Sequence, residues 1–184
     1  TNTIGTSADG LTWTAATGAG IFGTAGYAVA WNAPYWVAVG EDTQDMMVYS
    51  ADGGQTWVTG QAAGGGNTKT IFTTRARSVT WSGLYWVATG VDPTRSVAVS
   101  PDGITWTATA TSPFSTGGYG VTWNGGKGSA YSTPPALALG SGTSHTLAWS
   151  LDGGTNWIPL GKTVFTTAAY TALWTGTYWL AGGE

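Results

Sequence analysis

One phrase of seven or eight residues occurs four times in this chain, and it constrains the fold more than any other feature. Its copies read SADGLTW from Ser7, SADGGQTW from Ser50, SPDGITW from Ser100 and SLDGGTNW from Ser150. A second line of copies reads YAVAWNAPYWVAVG from Tyr27, RSVTWSGLYWVATG from Arg77, YGVTWNGG from Tyr119 and YTALWTGTYWLAGG from Tyr170. Self-similarity of this kind is the signature of a repeat architecture. We therefore expect four copies of one structural unit.

Each unit reads as four short β-strands. The segment YAVAW alternates large and small side chains, and a two-residue turn then leads into YWVAVG, as in a tight hairpin. A third strand such as MMVYS follows, and an Asp-Gly turn leads to a fourth strand that begins at the Thr-Trp pair. No stretch carries apolar residues at helical spacing. The prediction is an all-β fold.

Four strands and about 46 residues per unit are typical of the blades of a β-propeller. The chain begins in what reads as a third strand, NTIGTS, and stops after a second strand, YWLAGG. We predict one domain over residues 1–184 with four four-stranded antiparallel blades, at about 17–60, 61–110, 111–160, and 161–184 together with 1–16. The N- and C-terminal strands together would close the last blade and remove open sheet edges. The alternatives are half of an eight-bladed ring that a second chain completes, and part of a longer array.

The repeated phrase resembles the Asp-box, or BNR repeat, of sialidase-like propellers. Ser50, Asp52, Gly54, Thr56 and Trp57 match its pattern in full. In that family the box is a stabilising turn between the third and fourth strands, in which the carboxylate accepts backbone N–H groups and the tryptophan packs between blades. The resemblance implies this structural role for eight residues: Asp9, Trp13, Asp52, Trp57, Asp102, Trp106, Asp152 and Trp157.

The resemblance carries over the fold and not the activity. Sialidases clamp their substrate with three arginines from different blades, whereas Arg75, Arg77 and Arg95 all lie within about one repeat. We therefore predict no catalytic residues and no cofactor.

Composition excludes several other classes of function. Only 8% of the residues are charged and the formal net charge is −3, so no basic stripe is available for nucleic acid. No apolar run approaches the roughly 18 residues of a membrane span. The chain has no cysteine, and the acids Glu41, Asp42 and Asp45 read as a solvated loop more than as a metal site. The neutral, hydroxyl-rich surface favours an extracellular, virion or appendage location.

The candidate binding site is a rim of loops at one end of the strands. Tyr27, Arg77, Tyr119 and Tyr170 share one repeat position, at the entrance of each innermost strand, and would surround the mouth of a central channel. Neighbouring loops add charged residues to this rim: Glu41, Asp42, Asp92, Arg95 and Glu184. Aromatic faces beside carboxylates suit a sugar ring, although the tyrosines would also serve simply to plug the channel.

These residues favour a non-enzymatic binding or surface-display module that contacts a glycan or a protein. One alternative is a structural subunit of a filament, fibre or capsid decoration that associates with itself. Another is a glycoside hydrolase with Glu41 and Glu184 as its acid and base. Two long loops depart from the repeat: residues 60–70, whose glycines suggest mobility, and an insertion in the third unit after Trp123.

Overall fold

The chain folds into short antiparallel sheets, and the prediction of an all-β fold is confirmed. A computed structural model describes residues 2–18, 21–125 and 135–184. The strands are β1 Gly5–Thr6, β2 Thr14–Ala15, β3 Ala25–Asn32, β4 Tyr35–Glu41, β5 Met47–Ser50, β6 Val58–Thr59, β7 Gln61–Ala62, β8 Arg75–Trp81, β9 Trp86–Val91, β10 Val97–Ser100, β11 Thr105–Ala108, β12 Gly117–Trp123, β13 Ala136–Ser141, β14 Leu147–Ser150, β15 Ile158–Pro159, β16 Ala169–Trp174 and β17 Trp179–Gly183. The described residues contain one short 3-10 helix, Thr68–Thr70, and no α-helix.

Three units are meanders of four strands in chain order: β3 to β6, β8 to β11 and β12 to β15. Their registers agree because the same side chains recur at the same places. A residue at the start of the second strand lies opposite the serine that ends the third, as the pairs Trp36 with Ser50, Trp86 with Ser100, and Ala136 with Ser150 show. The inner strands β3, β8, β12 and β16 then pack against one another in sequence.

A buried phenylalanine precedes the inner strand of each of the three complete units. Phe22, Phe72 and Phe114 are almost fully buried, and each ring lies on the glycine near the end of the second strand of its unit. A Cβ atom built on Gly140 would lie 2.6 Å from the Phe114 ring and 2.3 Å from the carbonyl oxygen of Gly117. Glycine is therefore required where ring and backbone meet this closely.

The fourth unit is divided between the two ends of the chain. The predicted pairing of the terminal strands is not formed within the described residues, because β1 pairs with β2 and β16 pairs with β17 as two separate sheets. Trp13 was expected to pack between neighbouring units, yet it is 66% exposed. The reason is that no second strand lies beside β1 to cover it.

The β1–β2 sheet nevertheless packs on the first unit as a complete neighbour would. Thr3 donates its hydroxyl to the carbonyl of Phe22 at 3.0 Å, and Thr146 of the third unit makes the same bond to Phe165 at 2.9 Å. Thr17 bridges in parallel to Thr56, as β7 does to β11 one unit later. The β1–β2 sheet therefore makes the same kinds of contact to the first unit that are found between other neighbouring segments of the chain.

The structure describes one of the two long loops that depart from the repeat in full and the other only in part. Residues 60–70 contain β7 and the 3-10 helix, and the buried Thr68 hydroxyl accepts the backbone N–H of Met46 at 2.7 Å, which links this loop to the residue before β5. Most of the predicted insertion in the third unit, residues 126–134, lies outside the described residues.

Candidate functional site

Four β-bulges at one repeat position build the candidate site. The register of each inner strand shifts by one residue against its partner, between Gly26 and Ala28 and at the corresponding places of the other units. The bulged residues are Tyr27, Arg77, Tyr119 and Tyr170. A bulge leaves one residue out of the ladder and redirects its side chain. All four side chains line a single cavity of about 430 Å³.

The three aromatic rings and the guanidinium group in this cavity are arranged as two pairs. The rings of Tyr119 and Tyr170 are stacked, with centroids 5.5 Å apart and planes 28° apart. The guanidinium carbon of Arg77 lies 4.8 Å from the centroid of the Tyr27 ring, a cation–π contact. Each ring therefore has one face covered by its partner.

Each tyrosine hydroxyl in the cavity forms a hydrogen bond with the residue that directly follows the glycine near the end of the second strand of its unit. Tyr27 donates to Glu41 at 2.8 Å, Tyr119 and Ser141 share a hydrogen bond of 2.9 Å, and Tyr170 donates to Glu184. That last hydrogen bond raises the pKa of Tyr170 above its usual value. Ser141 is a site residue that the sequence analysis missed, although it shares the repeat position of Glu41 and Glu184.

Arg77 differs from the three tyrosines because its counterpart on the second strand is the apolar Val91. Within the described part of the chain, no hydrogen bond or ion pair holds its guanidinium, and its Nε is buried without a partner. Arg75, by contrast, pairs with Glu41 at 3.3 Å. Arg77 thus presents unused N–H donors at the cavity.

The other predicted rim residues do not line the cavity and instead organise loops. Asp42 accepts the backbone N–H of Gly23 at 2.6 Å and that of Gln44 at 2.9 Å. Asp92 accepts the backbone N–H and the hydroxyl of Thr73 and the backbone N–H of Arg95. The Arg95 guanidinium donates to the carbonyl of Thr70.

The repeated phrase forms a turn with one hydrogen-bond pattern, which we call the Ser–Asp turn (residues 7–13, 50–57, 100–106 and 150–157). In the second copy, Ser50 donates to Asp52 at 2.8 Å, and Asp52 accepts the backbone N–H of Thr56 at 2.9 Å. The Trp57 indole donates to the carbonyl of Gly54, which has a φ of 87°, in the left-handed region. The aspartates of the other copies are Asp9, Asp102 and Asp152, and each accepts the same kinds of bond.

These hydrogen bonds shift the pKa values of the carboxylates. The hydroxyl and backbone N–H of Thr56 lower the pKa of Asp52 from 3.8 to about 2. Burial by itself raises the pKa of Asp92, but the bonds from Thr73 and Thr94 outweigh it and lower the value to about 2. The pKa of Asp152 is likewise held below its usual range, since its bonds outweigh burial.

Acid is therefore expected to destabilise the fold. Because these folded-state pKa values lie below the unfolded ones, their stabilisation is complete above about pH 5 and is lost as the pH falls from about 4 towards 2. We expect the urea midpoint, followed by tryptophan fluorescence, to be constant from pH 7 to pH 5 and to drop steeply below pH 4. Asp92→Asn should be less stable at pH 7 and should show a shallower drop. A midpoint that does not change between pH 5 and pH 3 would contradict this prediction.

Two further observations concern metals and membranes. Within residues 2–18, 21–125 and 135–184, no group of three or more His, Asp or Glu side chains lies close enough together to hold a metal ion. The same residues include no helix that is long and apolar enough to cross a membrane.

Neither a scan against models of protein families nor a search of curated proteins found a match for this chain. Its function is therefore inferred from the geometry of its own residues.

Proposed function

We propose that the four units are the blades of an Asp-box β-propeller, with β16–β17 and β1–β2 as the two halves of the fourth blade. The registers support this architecture. In the complete units, the third strand pairs with the fourth through Tyr49 with Val58 and Val99 with Thr107, and Thr6 pairs with Thr14 in the same way. The terminal sheets thus carry the strand pairing of a blade that has been divided.

We further propose that the chain is a non-enzymatic binding module, located on an extracellular or virion surface, whose cavity contacts a glycan or a protein. The observation that carries this proposal is the set of four equivalent bulges around one cavity. Bulges interrupt strand pairing, so four of them at one place suggest a requirement beyond folding. Aromatic rings, hydroxyls and the unused donors of Arg77 together suit a ligand that combines apolar ring faces with oxygen acceptors.

The carboxylates near the cavity support binding better than hydrolysis. Glu41 accepts the Tyr27 hydroxyl and pairs with Arg75, and Glu184 accepts the Tyr170 hydroxyl. Both side chains therefore position the tyrosines. A pair of glycosidase carboxylates has to face the scissile bond from two sides and exchange protons with it.

The test is a glycan-array screen of the intact chain, followed by titration of the best ligand. Tyr119→Ala removes the ring that stacks on Tyr170, so we expect it to weaken binding by about ten-fold or more. Tyr178→Ala is the matched control, because Tyr178 is 70% exposed in the turn at the other end of the β16–β17 hairpin. Equal binding by Tyr119→Ala and the unmodified chain would refute the assignment of the site. Absence of binding across the array would refute the glycan form of the proposal.

Within the described residues β1 and β17 each have one unpaired edge, and these edges favour a second function, that of a self-associating structural subunit. An exposed strand edge is a template for pairing with another chain. This function is compatible with the first, because the edges and the cavity are formed by different residues.

A further inference from the structure

The β16–β17 hairpin exposes an apolar side chain that its counterparts in the complete units bury. Leu180 is 61% exposed, whereas Val37 and Val87, at the same repeat position, are fully buried. Leu173 on the neighbouring strand is 64% exposed. In the described residues β17 pairs only with β16, so its outer edge offers free backbone groups. The hairpin therefore has both an apolar surface and an edge to donate.

A groove between β1 and β3 is the complementary feature. It has a volume of about 230 Å³, and its lining includes Ile4, Trp13, Val29, Trp36 and Gly54. Val29 is 55% exposed. Its counterpart Val79 is 6% exposed because it clusters with Val37 of the preceding unit. The groove thus lacks the side chain that the preceding unit normally supplies.

The internal repeat identifies that side chain as Leu180. In the complete units, Val37 contacts Gly103 of the next Ser–Asp turn, and Val87 contacts Gly154. The corresponding contact for Leu180 is Gly54, which lines the groove. Leu180 is therefore both the residue that would cover Val29 and the residue that would contact Gly54.

We propose that the β16–β17 hairpin of one copy of this chain occupies the β1–β3 groove of a second copy, with β17 paired to β1. The register of the complete units places Trp179 opposite Ser7, Leu180 opposite Thr6 and Ala181 opposite Gly5. This inference rests on the proposed blade architecture and is independent of ligand binding in the cavity.

A second copy is the favoured occupant because, in the described residues of one chain, β17 does not pair with β1 and both Leu180 and Val29 stay exposed. Thr3 and Thr17 bind β1–β2 to the first unit, through Phe22 and Gln55. The other half packs on the third unit through β12 and β13. Every copy therefore carries a hairpin with an exposed apolar side chain and an open groove. Pairing of this head-to-tail kind closes as a reciprocal dimer or continues as a chain of copies.

The test uses introduced thiols, since the chain has no cysteine of its own. Thr6→Cys and Leu180→Cys are prepared as single variants and then mixed under mild oxidation. Residues directly opposite on antiparallel strands are close enough for a disulfide bond. We expect a covalent dimer in the mixture and none when either variant is oxidised alone. Leu11→Cys, at an exposed position of the first Ser–Asp turn, replaces Thr6→Cys as the control and should give no dimer with Leu180→Cys.

The Thr6→Cys/Leu180→Cys double variant separates the outcomes. Interchain bonding gives dimers and larger covalent species, as the proposal requires. A double variant that forms only an intrachain disulfide, with no dimer in the mixture of single variants, would show that the chain closes on itself and would overturn the proposal. No disulfide in either experiment would overturn it as well.

Light scattering gives an independent measurement. The unmodified chain should have a mass that is a multiple of 18.8 kDa. Leu180→Asp should return it to the monomer, while Leu84→Asp, at an exposed position outside the groove, should not. A monomeric unmodified chain at the highest concentration reached would overturn the proposal. Glycan binding by that monomer would still support the proposed function, so the two failures are distinguishable.

Discussion

Replacing Trp106 with alanine is expected to lower the free energy of unfolding by about 3–5 kcal/mol. Trp106 is 0% exposed and clusters with Val37, Val39 and Trp86, so the change would leave a cavity between two units. The indole also donates to the carbonyl of Gly103 at 3.3 Å. Urea unfolding at neutral pH, followed by circular dichroism, measures the loss.

The repeat itself supplies the control for this prediction. Trp13 holds the same position in the first Ser–Asp turn, but two thirds of its surface is exposed. Trp13→Ala should therefore cost less than about 1 kcal/mol. Equal losses for the two variants would contradict the view that packing between units, more than the turn, is what the tryptophan stabilises.

Gly140→Ala is expected to have the second largest effect, a loss of about 1–3 kcal/mol. The added methyl group would overlap the Phe114 ring and the carbonyl of Gly117, and neither can move without disturbing β12 or the core. The same unfolding measurement applies. We expect a lower urea midpoint and an unchanged slope, since the change affects packing and not the extent of the fold.

Gly182→Ala is the matched substitution on β17. The nearest atom to a Cβ there is the Thr171 Cγ2 at 3.5 Å, an ordinary contact. We expect a change within about 0.5 kcal/mol. A Gly140→Ala protein as stable as Gly182→Ala would contradict the close packing of Phe114 on this strand.

The strands were predictable from the sequence because their signals are local and repeated. The alternation in YAVAW, the two-residue turns and the Asp-Gly phrase each occur several times, so every copy supports the interpretation of the others. The shared position of Tyr27, Arg77, Tyr119 and Tyr170 was also visible. The bulges were not, because a one-residue shift between strands depends on partners that are distant in sequence.

Only the structure distinguished the roles of the rim residues from one another. Asp42 and Asp92 are acidic loop residues in the sequence, like Glu41, yet their carboxylates accept backbone N–H groups of loops, whereas the Glu41 carboxylate accepts the Tyr27 hydroxyl. Ser141 was missed because a serine is unremarkable until its hydroxyl lies beside that of Tyr119.

By itself the sequence determined the all-β class, the three complete meanders and the four equivalent positions around the cavity, because these follow from short-range pattern and from repetition. Only the tertiary structure decided that β1 and β17 do not pair within the described residues, that Trp13 and Leu180 are exposed, and that Arg77 has N–H donors without a partner there. These features depend on which neighbour covers each side chain. The four nearly identical sequence motifs cannot show which neighbour covers each side chain, since units of the same sequence differ only in what packs beside them.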